Sequence, residues 1–247
     1  MIDSHAHVFG EFYDNIDFLV NELKNKGLKY VINCADSVDS SYEVVELFNK
    51  YNDFLLPTVG IHPSNTEDIS KLKELEDIIK NNKVYAIGEI GLDYHYGKEN
   101  KEEQIKLFNL QLDLAEKYNL PVIIHIRDSI QDAYDILKTR KLRGIIHCYS
   151  GSYEMAKLFI NLGYKLGLGG VLTFKNSKLY ELVEKIDISN FVLETDSPFL
   201  SPEPFRGKIN NPYNIHYVAL RIAEIKCISY DDVLTCNISN LSEIFDF

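Results

Sequence analysis

The chain has 247 residues, 45% of them apolar and 26% charged. These proportions exclude a disordered tail, a coiled coil and a collagen-like chain, and the length suits one large α/β domain. Lys and Arg number 26 against 37 Asp and Glu, a formal net charge of −11, so the protein as a whole repels nucleic acid and anionic membranes and any phosphate contact must be local.

In chain order, short apolar runs of strand length alternate with longer stretches of helical spacing. Met1 to Ile2 leads into Asp3, and 14–26 reads as a helix; 29–33 is a strand and 42–51 a helix; 54–59 is a strand and 69–80 a helix. The pattern continues with strands at 84–87, 122–124, 144–146, 164–168 and 191–193, separated by helices at 102–118, 130–140, 155–162 and 178–186, and it closes on two helices at 213–226 and 230–247. Crossovers of a dozen or more residues between strands imply a parallel sheet with helices outside. Eight such units predict a single-domain TIM (β/α)8 barrel over 1–247. The competing doubly wound sheet lacks its Gly-rich fingerprint, since the residues after the first strand read DSHAH.

Four cysteines, Cys34, Cys148, Cys227 and Cys236, form no CxxC pair, which points to a reducing, cytoplasmic setting rather than a disulfide scaffold. No basic leader and no run of ~18 uncharged apolar residues occurs, so neither an export signal nor a membrane span is expected.

Reactive groups of a barrel gather at the C-terminal ends of its strands. Those ends carry Asp3, His5 and His7; His62; Glu89 and Asp93; His125 and Arg127; His147; and Glu194 and Asp196. Period-two alternation puts His5 and His7 on one side of an extended strand, where both rings reach one ion. Burying so many ionisable groups at one level without a cation would be costly. Histidine with carboxylate suits zinc, manganese or iron, magnesium is also admitted, and a carboxylate can bridge two ions.

The segments IDSHAH (2–7), VGIHP (59–63), AIGEIGLDY (86–94), LPVIIHIRD (120–128), IIHCYSGS (145–152) and LETDSPFLSPEPFRGKINNP (193–212), with a closing Asn240 to Phe245, resemble the TatD family of metal-dependent deoxyribonucleases in order and spacing over essentially the whole chain. The resemblance implies a TIM barrel and a hydrolase of nucleic-acid phosphodiesters, DNA or also RNA. It implies one or two divalent ions held by His5, His7, Glu89 as the bridging ligand, His125, His147 and Asp196. Related amidohydrolases commonly carry a carbamylated lysine at the bridging position, whereas this chain has Glu89.

Asp196 is the expected general base beside Glu89, and Arg127, Arg206 and His62 are the expected phosphate contacts. Tyr94 and Phe205, flanking site motifs, are candidates to stack bases at the rim. Cys148 is expected to turn into the core, away from its neighbour His147, and Glu194 to share a strand face with Asp196. A site beneath a rim of loops and a net charge of −11 favour single-stranded ends and release of nucleotides from a terminus. Two other readings of the chain are a hydrolase of a small ester or amide and a non-catalytic metal- or nucleic-acid-binding scaffold. No obligate protein partner is expected.

Overall fold

A computed structural model describes residues 1–51 and 54–247. Among them, eight strands lie side by side in sequence order and every pair is parallel. They are β1 (Ile2–Ala6), β2 (Tyr30–Cys34), β3 (Leu55–Val59), β4 (Ala86–Asp93), β5 (Val122–Arg127), β6 (Gly144–Ile146), β7 (Tyr164–Leu168) and β8 (Phe191–Leu193). The helices between and after them are α1 (Ile16–Asn25), α2 (Val38–Lys50), α3 (Leu72–Asn81), α4 (Lys101–Tyr118), α5 (Ile130–Leu137), α6 (Tyr153–Asn161), α7 (Leu179–Lys185), α8 (Ile215–Lys226) and α9 (Tyr230–Ser242). The eightfold alternation read from the sequence is the TIM barrel observed.

The ring closes just beyond β8. Ala6 bridges Ser197 in parallel, the Asp196 N–H donates to His5 O at 2.9 Å and the His7 N–H donates to Ser197 O at 2.7 Å. Buried Asp3 reinforces this seam by accepting from the Thr195 hydroxyl at 2.6 Å and the Thr195 N–H at 3.0 Å. Closure therefore brings residues 5–7 and 195–197 together as a by-product of satisfying backbone groups.

Alternation divides the core in two. Ile2, Ile32, Leu56, Ala86, Ile123, Ile145 and Val192, from seven strands, form one buried cluster with Leu241, Ile244 and Phe245. Their neighbours Val122, Ile124, Leu166 and Leu193 instead join the larger layer against the helices. Each fully buried Leu or Ile contributes ~1.5–3 kcal/mol, enough in sum to hold the barrel while its other end is given over to polar groups.

Several boundaries differ from the periodicity reading. The helix expected from Tyr42 begins at Val38, because the Ser37 hydroxyl accepts the Ser40 N–H and the Ser40 hydroxyl accepts the Ser37 N–H. The last helix stops at Ser242, and Ile244 and Phe245 turn in to join the barrel cluster. β4 runs six residues past its expected end, because Ile90, Gly91, Leu92 and Asp93 pair with Ile124, His125, Ile126 and Arg127. Gly91 permits this: its φ is 148°, and a Cβ there would stand 2.0 Å from His125 O. No helix among the described residues is long and apolar enough to cross a membrane.

Candidate metal centre

Five of the six candidate ligands meet at the mouth of the barrel. His5 Nε2 and His7 Nε2 are 3.1 Å apart. Glu89 Oε2 lies 3.5 and 3.6 Å from them, and Asp196 Oδ1 lies 3.6 Å from each. His147 Nε2 is 3.6 Å from Asp196 Oδ1 and 3.7 Å from Glu89 Oε1. Donors ~2.1 Å from a common ion in octahedral or tetrahedral array stand roughly 3.0–3.4 Å apart, so the spacing of these atoms is close to that of a coordination shell.

The donor chemistry fits as well. The Cys34 carbonyl can only accept, so His7 Nδ1, 2.9 Å away, carries the proton and Nε2 offers its lone pair when the ring is neutral. His147 is arranged alike: Nδ1 faces Glu194 Oε1 at 3.1 Å, an ion-pair contact on the side away from the cluster. Such outer partners orient imidazole ligands.

His125 stands on the other oxygen of Glu89. Its Nδ1 is 2.8 Å from Glu89 Oε1 and its Nε2 is 3.2 Å from Asp93 Oδ2, and its ring lies edge-on to His62 at 4.5 Å between centroids. Glu89 therefore presents Oε2 to His5 and His7 and Oε1 to His125 and His147, the disposition of a bridging carboxylate. Two overlapping donor sets, His5 with His7 and Asp196 and His5 with Glu89 and His147, adjoin a third of His62, Asp93 and His125.

Burial works against charge here and the mutual contacts overcome it. Burial alone would lower His147 and His125, but Glu194, Glu89 and Asp196 lift the first to about 10, and Asp93 and Glu89 lift the second to about 9. Burial would raise Glu89 and Asp196, yet the surrounding histidines hold both below the usual carboxylate range. His62 is lowered to about 4, chiefly by burial, and is neutral at pH 7. Because its Nδ1 accepts the Ser64 N–H at 3.1 Å, its proton resides on Nε2.

His7, His62, Glu89, Asp93, His125, His147 and Asp196 line a cavity of about 740 Å³. Arg127 reaches its edge with its guanidinium 5.3 Å from the Tyr96 ring centroid and 3.8 Å from Asp93 Oδ2. Arg206 does not join it: it lies over the Phe174 ring in a separate cleft. Tyr94 is no rim platform but a core residue whose hydroxyl donates to Asp132; the aromatics that line the cavity are Phe12, Phe199 and Tyr96. Phe205 packs edge-on against Tyr217.

Two expectations drawn from alternation fail because β6 and β8 end before the residues concerned. Cys148 has φ 45°, so its thiol, instead of turning away, lies with His147 and Glu194. Likewise Asp196 has φ 56°, and Glu194 and Asp196 flank opposite nitrogens of the His147 ring.

The sequence reading missed the clamps behind the site. Gln104 and Gln111 on α4 are buried. Gln104 accepts the Asp93 N–H at 2.8 Å and donates to Asp93 O at 2.8 Å, and Gln111 accepts the Ile61 N–H at 2.7 Å and donates to Ile61 O at 2.9 Å. Their signal was present: two amides seven residues apart, hence on one helix face, which is the face otherwise buried.

Known proteins share both sequence and architecture with this chain. YabD of Bacillus subtilis, named an uncharacterized metal-dependent hydrolase, is 35% identical over 252 residues, covering 99% of this chain and 98% of that protein. The crystal structure of YJJV, a TatD homologue from Escherichia coli K12, superposes with a TM-score of 0.93 at 29% identity over 100% of this chain and 98% of its own. A hydrolase TatD family protein from Entamoeba histolytica gives 0.89 at 25% identity over 99% and 97% of the two chains. A family model described as TatD related DNase matches residues 2–246, and the chain belongs to that family.

Proposed function

We propose that this metal-dependent hydrolase cleaves nucleic-acid phosphodiesters, DNA or RNA, taking single-stranded ends and releasing nucleotides from a terminus. The observation that carries the reading is the mutual 3.1–3.7 Å spacing of His5, His7, Glu89, His147 and Asp196 beside two neutral or cationic phosphate contacts. His5, His7, Glu89, His147 and Asp196 would hold one divalent ion, and Glu89 with His125 a second. Magnesium, manganese and zinc all suit the donors. The chemistry supplied when such ions are bound is Lewis-acid polarisation of a phosphoryl oxygen and acidification of water to a pKa of ~7.

The residues of the chain do the rest. Arg127 binds a phosphate oxygen by a charge-assisted bond, and the protonated Nε2 of neutral His62 donates a second hydrogen bond. Asp196, ionised at neutral pH, accepts the proton of the attacking water. Phe12 and Phe199 on one flank and Tyr96 on the other offer faces for unstacked bases. A cavity of about 740 Å³, within the ~300–1,000 Å³ of small-ligand sites, admits a chain end rather than a stacked duplex. The family description, TatD related DNase, supports the nuclease reading. The four free cysteines support a reducing, cytoplasmic setting.

The test supplies manganese-, magnesium- or zinc-reconstituted protein with end-labelled single-stranded DNA, a covalently closed single-stranded circle of equal nucleotide content, and a p-nitrophenyl ester. Release of terminal nucleotides from the linear strand, with the circle spared, is expected. Equal cleavage of the circle would refute the terminal mode. Ester turnover without any diester cleavage would refute the substrate class.

A further inference from the structure

Against an overall charge of −11, the charged side chains lining one cleft outside the metal centre are all cations. It has a volume of about 360 Å³ and is walled by the loops that follow β6, β7 and β8, with Lys175, Lys178 and Arg206 as its charged members and no carboxylate among its lining residues. All three are exposed. Among the described residues none of them has an acidic partner within 4.0 Å, although most arginines and many lysines of the chain are so paired; the nearby Glu181 is taken by Lys185 at 3.5 Å. Arg206 is braced from below by the Phe174 ring, 4.5 Å from its guanidinium carbon to the centroid. A planar cation held over a ring keeps its N–H edges free for an oxyanion.

Shared lining residues link the cleft to the metal centre. His147 lines both the large cavity and a narrow groove of about 170 Å³, whose one carboxylate, Asp128, faces His95 Nδ1 at 3.1 Å, and that groove shares Ser150 and Gly151 with the basic cleft. The β6–α6 turn is thus the floor of one track. Gly151 keeps it low, since a Cβ there would meet Ile130 at 2.4 Å and the Tyr149 hydroxyl at 2.6 Å. Unpaired like charges on two converging loops, Lys175 and Lys178 after β7 and Arg206 after β8, repel one another and cost stability, so an anionic ligand that spans them gains affinity from relieving that repulsion.

We infer that this cleft is a second polyanion site, which takes phosphates of a single nucleic-acid strand distant from the one at the metal centre, with the strand running over Ser150 and Gly151. The inference rests on the nuclease reading for the identity of the strand, but its binding surface is separate from the reacting groups. It gives the enzyme a preference for chains long enough to fill both sites over dinucleotides.

The experiment measures binding of a phosphorothioate-linked oligothymidylate 20-mer to the metal-loaded protein by fluorescence anisotropy across a salt series. Each lysine that contacts a phosphate of a single strand contributes ~0.7 to the slope of log affinity against log salt. The double variant K175A/K178A is therefore expected to lose ~1.4 from that slope and on the order of tenfold in affinity at low salt. K73A/K106A, on exposed helix faces and equal in net charge, is expected to keep the wild-type slope. A second arm compares hydrolysis of the phosphodiester-linked 20-mer with that of a thymidine dinucleotide, and K175A/K178A should lower the ratio of their kcat/KM values by about tenfold. If K175A/K178A matches K73A/K106A in slope and ratio, or if the wild type does not bind the 20-mer, the cleft is not a strand site. If the wild type binds with the expected lysine dependence yet cleaves neither oligonucleotide, the cleft stands and the nuclease reading falls.

Discussion

Glu194 is not one of the six candidate ligands but stands behind His147, and replacing it with Gln should weaken the metal centre. The carboxyl is fully buried, its Oε1 lies 3.1 Å from His147 Nδ1 and accepts the Cys148 N–H at 2.6 Å, and a Cβ on Gly167 would stand 2.2 Å from Oε2. Glutamine keeps this shape and an acceptor for Cys148 but removes the charge. Of the three carboxylates that lift His147 to about 10, Glu194 is the strongest. A charge-assisted contact is worth ~1.5–3 kcal/mol, so the titration of His147 in Glu194→Gln should move down from its wild-type position. Loss of such an outer partner typically lowers metal affinity by ~10–100-fold, here the affinity of the deprotonated site corrected for proton competition, since easier deprotonation of His147 offsets part of the loss at neutral pH. Calorimetric titration of zinc or manganese into wild type and variant gives the affinity, and NMR of the labelled imidazole in the metal-free protein gives the titration midpoint. A variant Kd within about threefold of wild type, a margin well below that range, together with an unmoved midpoint, would show that Glu194 only fills space.

Metal affinity should rise steeply with pH. Ligand imidazoles must be deprotonated to bind, and His125 and His147 hold their protons up to about 9 and about 10, so protons compete at neutral pH and cease to compete above those values. Uptake at pH 7 should release up to about two protons per protein, read from calorimetry in buffers of different ionisation enthalpy; no release would contradict the assigned donors. Arg127→Ala should slow diester turnover by about one to two orders of magnitude, the worth of one charge-assisted bond, while an uncharged ester is hydrolysed nearly as before; equal losses would make Arg127 structural. Gln111→Leu leaves the N–H and C=O of Ile61 unsatisfied in the interior and should cost about 2–4 kcal/mol in urea unfolding, with a change below 0.5 kcal/mol, the usual scatter of neutral substitutions, ruling out the clamp.

The sequence by itself determined the barrel and the level at which its reactive groups stand. Both follow from local rules: apolar runs of strand length, helical spacing between them, and polar residues placed where each run ends. The relation of His5 to His7 was legible because both lie at the end of β1, two residues apart. Legibility stopped where a strand stopped. Alternation carried past β6 and β8 misplaced Cys148 and Glu194, since left-handed backbone at Cys148 and Asp196 breaks the period-two rule. Tyr94 and Arg206 were assigned to the site from neighbouring motifs, but nearness along the chain does not say which cavity a side chain enters. Only the tertiary structure decided which donors share one centre. Asp196 stands beside His5 and His7 because the seam between β1 and the segment after β8 is closed by hydrogen bonds such as Thr195 to Asp3, 192 positions apart. A pairing of that range depends on satisfying the backbone of the whole ring at once, and no window of sequence contains it.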